Sequence, residues 1–194
     1  MLELEIEERW HPEFKLAVRS LRDAAIRDEV VLTKIDSPKD LADHAISFTC
    51  DIDQSRSNQK IDRGTGRFVM LWHNHAQDNW TSNFRVICFA KSPLETDIGF
   101  TDDSSELAWA WLRQALSNRG AKYDAEAGTT TRVISVGHGL IASQRQHAEL
   151  ELRASWCPED SAIGPHFQAW QDLICMMSGY ALEAENVARI DQRG

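Results

Sequence analysis

The stretch that decides the fold is residues 149–177, ELELRASWCPEDSAIGPHFQAWQDLICMM. Its first half alternates apolar and polar side chains, with the apolar set being Leu150, Leu152, Ala154 and Trp156. Its second half has helical spacing, with the apolar set being Phe167, Trp170, Leu173, Ile174 and Met177. The change from a period of two to a period near 3.6 predicts a half-buried strand, a turn, and a helix that packs back onto the sheet.

Upstream of this stretch, the same two periods predict the rest of the fold. Helices are expected at about 12–27 and 102–118, and strands at 30–35, 46–52, 67–73, 84–90 and 129–136. Strands joined by short polar connections pair antiparallel, and helices cover a sheet most simply on one face. The sequence therefore predicts an α+β fold in two layers: a mostly antiparallel sheet of about six strands, with about three helices packed mainly on one face.

The length of 194 residues is typical of one domain. We assign residues 12–180 to a single α+β domain. Residues 1–11 are predicted to be an acidic arm or short strand, and residues 181–194 a frayed tail.

Charge and cysteine usage limit the classes of function. The formal net charge is −9, so approach to nucleic-acid phosphates or to anionic lipid surfaces is disfavoured. The four cysteines form no CxxC pair and are predicted to be buried thiols in a reducing cytoplasm. The N-terminus resembles no signal peptide and no apolar run is long enough to span a bilayer, so we expect a cytoplasmic protein. No motif predicts a cofactor.

Three polar residues near the deciding stretch suggest an anion pocket. Arg153 and Ser155 lie on the polar face of the predicted strand, and His166 begins the following helix, whose N-terminal amides favour anions. His138, between two glycines, is a fourth ligand-binding candidate. Charge is also the ordinary state of a polar strand face, where Arg153 would instead pair with a neighbouring Glu. A nucleophilic pair of Cys157 and His166 would require a proximity that the sequence cannot establish.

Two further sets of residues are candidates for other kinds of site. His73 and His75 share a face if their strand continues, and with Asp78 or a cross-strand Glu they suggest a metal site, although the sequence favours a polar, solvent-facing hairpin end. Trp109 lies off the apolar stripe of its helix, and it and Trp72 are interface candidates, because an exposed tryptophan marks a binding surface.

Several motifs resemble those of an uncharacterised actinobacterial family, the domain of unknown function numbered three thousand. They are AWAWLRQAL at 108–116, Gly128-Thr129, ELELRASWCP at 149–158, and His166 with Ala169-Trp170. The similarity covers about residues 12–180, with departures such as Cys157 in place of a threonine. The resemblance implies no established activity. It implies at most a gene neighbourhood with a ribonuclease-D-like exonuclease.

The sequence favours a non-enzymatic interaction or adaptor domain, which binds a protein partner or a second copy of itself. This interpretation is supported by the lack of a catalytic motif in the sequence, by the negative charge and by the seven tryptophans. One alternative is a binder of, or an enzyme on, a small anionic metabolite, using Arg153, Ser155 and His166. A further alternative, an accessory protein in RNA metabolism, rests on the gene neighbourhood and is opposed by the charge.

Overall fold

A computed structural model describes residues 2–38, 40–53, 64–75, 77–94, 104–142 and 147–180. The elements follow the predicted order of helix, four strands, helix, two strands and helix. They are α1 (Pro12–Asp23), β1 (Val30–Ile35), β2 (His44–Ile52), β3 (Thr65–Trp72), β4 (Phe84–Leu94), α2 (Ser104–Asn118), β5 (Tyr123–Ser135), β6 (His147–Pro158) and α3 (Gly164–Met177). A 3-10 turn, Gly139–Ile141, lies between β5 and β6.

The six strands form one antiparallel sheet in the order β1-β2-β3-β4-β6-β5. β6 lies between β4 and β5, so the deciding stretch of sequence forms an interior strand, and β5 forms an edge. The predicted α+β class, strand number and antiparallel pairing are confirmed. The strand predicted at 67–73 corresponds to β3, which is third in the sheet.

The hydrophobic core lies between the helices and one face of the sheet. α3 is buried on most of its surface, including Phe167, Trp170 and Ile174. It fits closely over β3 because position 66 is a glycine: a Cβ there would lie 2.3 Å from Ile174 Cδ1. The strands supply the other half of the core through alternate residues, among them Phe48, Phe68, Met70, Val86, Leu152 and Trp156.

Some element boundaries differ from the predictions for local reasons. α1 ends at Asp23 rather than near residue 27, because Ala24 is extended and Arg27 turns inward to Asp172. β5 begins at Tyr123, six residues before the predicted start, and it includes an irregularity between Asp124 and Ala127. Such a bulge interrupts the alternation on which the prediction depended.

The structure also bears on the predictions for the cysteines, the two termini and membrane spans. The four cysteines are buried, as expected. The predicted 181–194 tail lies outside the described residues. Leu2–Trp10 contains no strand, and Leu4 lies in the core. None of the three helices in the described part of the chain combines the length and apolar character that a membrane span requires.

Candidate functional site

The face of the sheet opposite the helices, called here the open face, carries the side chains that alternate with the core residues. Strand register aligns them in rows across the sheet. In one row, a phenylalanine is flanked on both neighbouring strands by arginines, and threonines lie beyond them. This row consists of Thr33, Thr49, Arg67, Phe89, Arg153 and Thr129. The open face therefore combines an aromatic ring with two guanidinium groups.

The adjacent row of the open face is smaller and more apolar. At its centre Val69 is buried, whereas Ile87 is 39% exposed. The hydroxyl of Ser47, also in this row, is buried and has no hydrogen-bond partner in the described part of the chain. A shallow depression lies where the two rows meet, and its lining includes Thr49, Thr65, Arg67, Ile87, Phe89 and Arg153.

Arg153 and Ser155 both lie on the open face, as their alternation predicted. The Arg153 side chain is 71% exposed, its Nη2 lies 3.8 Å from Glu151 Oε2, and its guanidinium carbon lies 5.6 Å from the centre of the Phe89 ring. Ser155 Oγ accepts a 2.6 Å hydrogen bond from Arg85 Nη2. The Ser155 hydroxyl is thus engaged by Arg85.

His166 lies on the other side of the sheet. It is only 2% exposed, and its Nδ1 accepts a 3.0 Å hydrogen bond from Trp156 Nε1 in the core. Burial lowers the pKa of His166 to about 4, because the interior disfavours the charged imidazolium. The predicted anion pocket of Arg153, Ser155 and His166 is therefore not assembled, because β6 places the first two and the helix layer places the third on opposite faces.

His138 and Cys157, the other candidates considered with His166, are also separated from it. His138 is exposed just before the 3-10 turn, next to the sheet end where Ser135 pairs with His147. His166 instead contacts Trp156, near the opposite end of β6. Cys157 faces the same side as Ser155, so the sheet separates it from His166 and no Cys–His pair forms.

Cys157 has polar surroundings of its own. Arg85 Nη1 lies 3.3 Å from its Sγ. Burial acts to raise the pKa of the Cys157 thiol, but hydrogen bonds from Thr81 and Arg85 outweigh it, and the net effect lowers the pKa. The thiol itself is fully buried.

The predicted histidine pair does not share a strand face, because β3 ends at Trp72. The ring of His73 contacts Asp43 Oδ2 through Nδ1 at 3.3 Å and the Leu41 carbonyl through Nε2 at 3.2 Å. His75 is exposed. Within the described ranges, no group of three or more His, Cys, Asp or Glu side chains is arranged to hold a metal ion.

The structure adds two histidines to this end of the molecule that sequence reasoning missed. His44 Nε2 accepts a 3.3 Å hydrogen bond from the His11 backbone N–H. The rings of His11 and His44 stack on Trp72, at centroid distances of 4.4 and 5.4 Å. No local signal identifies this cluster, because its three members are far apart in the sequence: β2–β3 pairing places His44 opposite Trp72, and the packing of α1 against the sheet adds His11.

The two interface candidates have different positions. Trp72 is buried, with 1% of its surface exposed, and its Nε1 donates a 2.9 Å hydrogen bond to Glu13 Oε2. It therefore exposes almost no indole surface that a partner could contact. Trp109 is half-buried and packs on Gly128 of the edge strand β5, where a Cβ would lie 2.6 Å from Trp109 Cζ3.

In the described residues, a six-stranded antiparallel sheet with three helices on one face defines a two-layer α+β fold with an open sheet face. The model of the family of proteins of unknown function called DUF3000 matches residues 11–187. The chain belongs to this DUF3000 family, as its motifs predicted. No curated protein and no solved structure gives a significant match.

Proposed function

We propose that this protein is a non-enzymatic interaction domain of the cytoplasm, and that it binds a partner protein through the open face of its sheet. The single observation that supports the proposal most directly is the uneven layering: α1, α2 and α3 pack on one face, and no helix in the described residues covers the other. An uncovered sheet face with exposed apolar side chains is typical of a binding surface.

The chemistry of the open face supports an interface. Ile87 is 39% exposed, and Phe89 and Val69 are beside it. An apolar centre bordered by arginine is the composition that binding hot spots favour. The geometry does not favour the alternative of an anionic-metabolite pocket built from Arg153, Ser155 and His166, because the sheet separates His166 from the other two.

A site-specific crosslinking experiment tests the proposal. A photoreactive benzoylphenylalanine is introduced at Ile87 on the open face, and in a matched control at Leu16, which is 52% exposed on α1. We expect irradiation in the native cell to yield a protein adduct at position 87 that is absent at position 16, identified by mass spectrometry.

The identified partner then allows a quantitative test. Ile87→Asp should weaken binding of the purified partner at least tenfold, because a carboxylate would replace apolar contact area, and Leu16→Asp should leave the affinity unchanged. The proposal would be contradicted by adducts that form equally at both positions, or by a partner whose affinity is unchanged by Ile87→Asp.

A further inference from the structure

We infer that the segment bound at the open face is an acidic peptide in which carboxylates flank an apolar side chain, and that Arg67, Phe89 and Arg153 recognise it. This inference rests on the proposed function, and it deepens that function by naming the chemistry of the partner. The three side chains are brought together from β3, β4 and β6.

The register places these residues side by side. Arg67 is opposite Phe89 in the β3–β4 pair, and Phe89 is opposite Arg153 in the β4–β6 pair. Neighbouring strands are ~4.8 Å apart, so the two arginine backbones are about 10 Å apart. In an extended peptide, side chains two to four residues apart span roughly 7 to 14 Å. Two carboxylates at such a spacing would therefore reach both guanidinium groups.

Arg67 and Arg153 have fewer partners within the protein than the other cationic side chains of the open face. Lys91 Nζ lies 2.9 Å from Glu149 Oε2 and 3.8 Å from Glu151 Oε1, and Arg85 is engaged by Ser155 and Cys157. Arg67 forms no ion pair or hydrogen bond among the described residues. Arg153 has one long contact, to Glu151, and its side chain is 71% exposed. Both guanidinium groups are thus available for bidentate binding of a carboxylate.

Phe89 and Ile87 provide the apolar part of the site. Phe89 is half-buried between the two arginines, and Ile87, two residues before it on the same face, is 39% exposed. An apolar side chain of the peptide would lie against this pair and bury surface from water. Charge on both sides of the apolar contact would set the register and orientation of the peptide.

An acidic peptide fits this face better than single-stranded RNA. RNA-binding sheets stack two or three bases on several aromatic side chains, whereas Phe89 is the one aromatic residue on the open face of the described strands. The chain also has a formal net charge of −9, which repels a phosphate backbone as a whole. A short acidic peptide carries fewer charges than an oligonucleotide and is repelled less, and its carboxylates would contact the face at Arg67 and Arg153.

Titration calorimetry of the full chain with a synthetic probe tests the inference. The probe is the capped peptide GSEDFEDSG, the matched control peptide is GSQNFQNSG, and a ten-nucleotide oligouridylate is the nucleic-acid control. We expect the acidic peptide to bind at least tenfold more tightly than the uncharged peptide, and its affinity to fall as NaCl is raised.

Charge-reversal variants locate the site. The double variant Arg67→Glu/Arg153→Glu should lower the affinity for the acidic peptide at least tenfold. The double variant Arg19→Glu/Arg113→Glu makes the same charge change at exposed positions on α1 and α2, and it should lower the affinity less than threefold. The double variant Arg67→Lys/Arg153→Lys should fall between the two, because lysine keeps the charge but loses the bidentate geometry. Circular dichroism checks that each variant is folded.

Three results would overturn the inference: equal binding of the charged and uncharged peptides, equal effects of the two charge-reversal variants, or arginine-dependent binding of the oligouridylate in place of the peptide. The proposed function fails separately. If a partner crosslinks at Ile87 but its affinity is unchanged by Arg67→Glu/Arg153→Glu, the proposed interaction domain is supported and the proposed acidic ligand is rejected. An absence of any adduct at Ile87 removes the interaction domain even when the peptide binds.

Discussion

His166 illustrates at the scale of a residue how burial changes the chemistry of a side chain. On the surface, an imidazole at a helix start is a candidate anion ligand. In the core it accepts a hydrogen bond from Trp156 and has a pKa of about 4. His166 is therefore a neutral hydrogen-bond acceptor near pH 7. Its lowered pKa makes the free energy of unfolding depend on pH.

We predict that His166 makes the protein less stable in mild acid. In the unfolded chain the pKa of histidine is about 6.5, so between pH 6.5 and 4 the unfolded state binds a proton that the folded state does not. The free energy of unfolding should fall by about 2 kcal/mol between pH 7 and pH 5 from this group. His166→Asn, which keeps a hydrogen-bond acceptor without this titration, should reduce that loss.

Urea unfolding at pH 7 and pH 5, followed by tryptophan fluorescence, measures the effect. His75→Asn is the matched control, because His75 is exposed, and it should leave the wild-type pH dependence intact. Parallel pH profiles for the wild type and His166→Asn would show that His166 does not carry this dependence.

At the scale of an element, the position of α3 over the sheet depends on a glycine in β3. A Cβ at residue 66 would lie 2.3 Å from Ile174 Cδ1 and 2.9 Å from the Phe89 carbonyl oxygen. Atoms cannot approach so closely, so a larger residue at this position would push α3 away from the strands. Sequence alone predicted both elements but could not predict this contact, because their two residues are far apart along the chain.

Gly66→Ala should therefore lower the free energy of unfolding by about 1 to 3 kcal/mol through overpacking. Ile174→Val removes the nearest atom, Cδ1, and by itself should cost about 1 kcal/mol. The double variant Gly66→Ala/Ile174→Val should be more stable than the sum of the two single effects predicts. Chemical denaturation of the wild type, the two single variants and the double variant provides the double-mutant cycle. Strictly additive changes in the free energy of unfolding would exclude this contact as the cause.

At the scale of the whole molecule, a buried ionic cluster joins the three helices. Asp172 of α3 accepts a 3.0 Å hydrogen bond from Arg27, in the segment after α1, and two of 2.6 and 2.9 Å from Arg119, just after α2. The side chains of Asp172 and Arg27 are only 2% and 4% exposed. Burial acts to lower the pKa of Arg27, but its bonds to Glu29 and Asp172 outweigh this, and the pKa is raised.

Asp172→Asn should lower the free energy of unfolding by about 3 kcal/mol, because two arginines then lose a carboxylate in a buried site. Asp23→Asn is the matched control: Arg22 Nε and Asp23 Oδ1 are 3.1 Å apart, but both side chains are exposed, and less than about 1 kcal/mol is expected. Differential scanning calorimetry compares the melting temperatures. Equal shifts for the two variants would contradict a structural role for the cluster.

Sequence patterns were sufficient to predict the element order, the α+β class, the family, and which residues of each strand share a face. These follow from patterns within one strand or helix, where a period of two or 3.6 reflects the direction of successive side chains. Arg153 and Ser155 could be assigned to one strand face for this reason. The three-dimensional fold was needed to show that Arg67 and Arg153 flank Phe89, that the sheet separates His166 from Ser155, and that Trp72 is buried beside His11 and His44. Such neighbours depend on strand order, register and helix docking, which arise from contacts between segments far apart in the chain and leave no trace in local spacing.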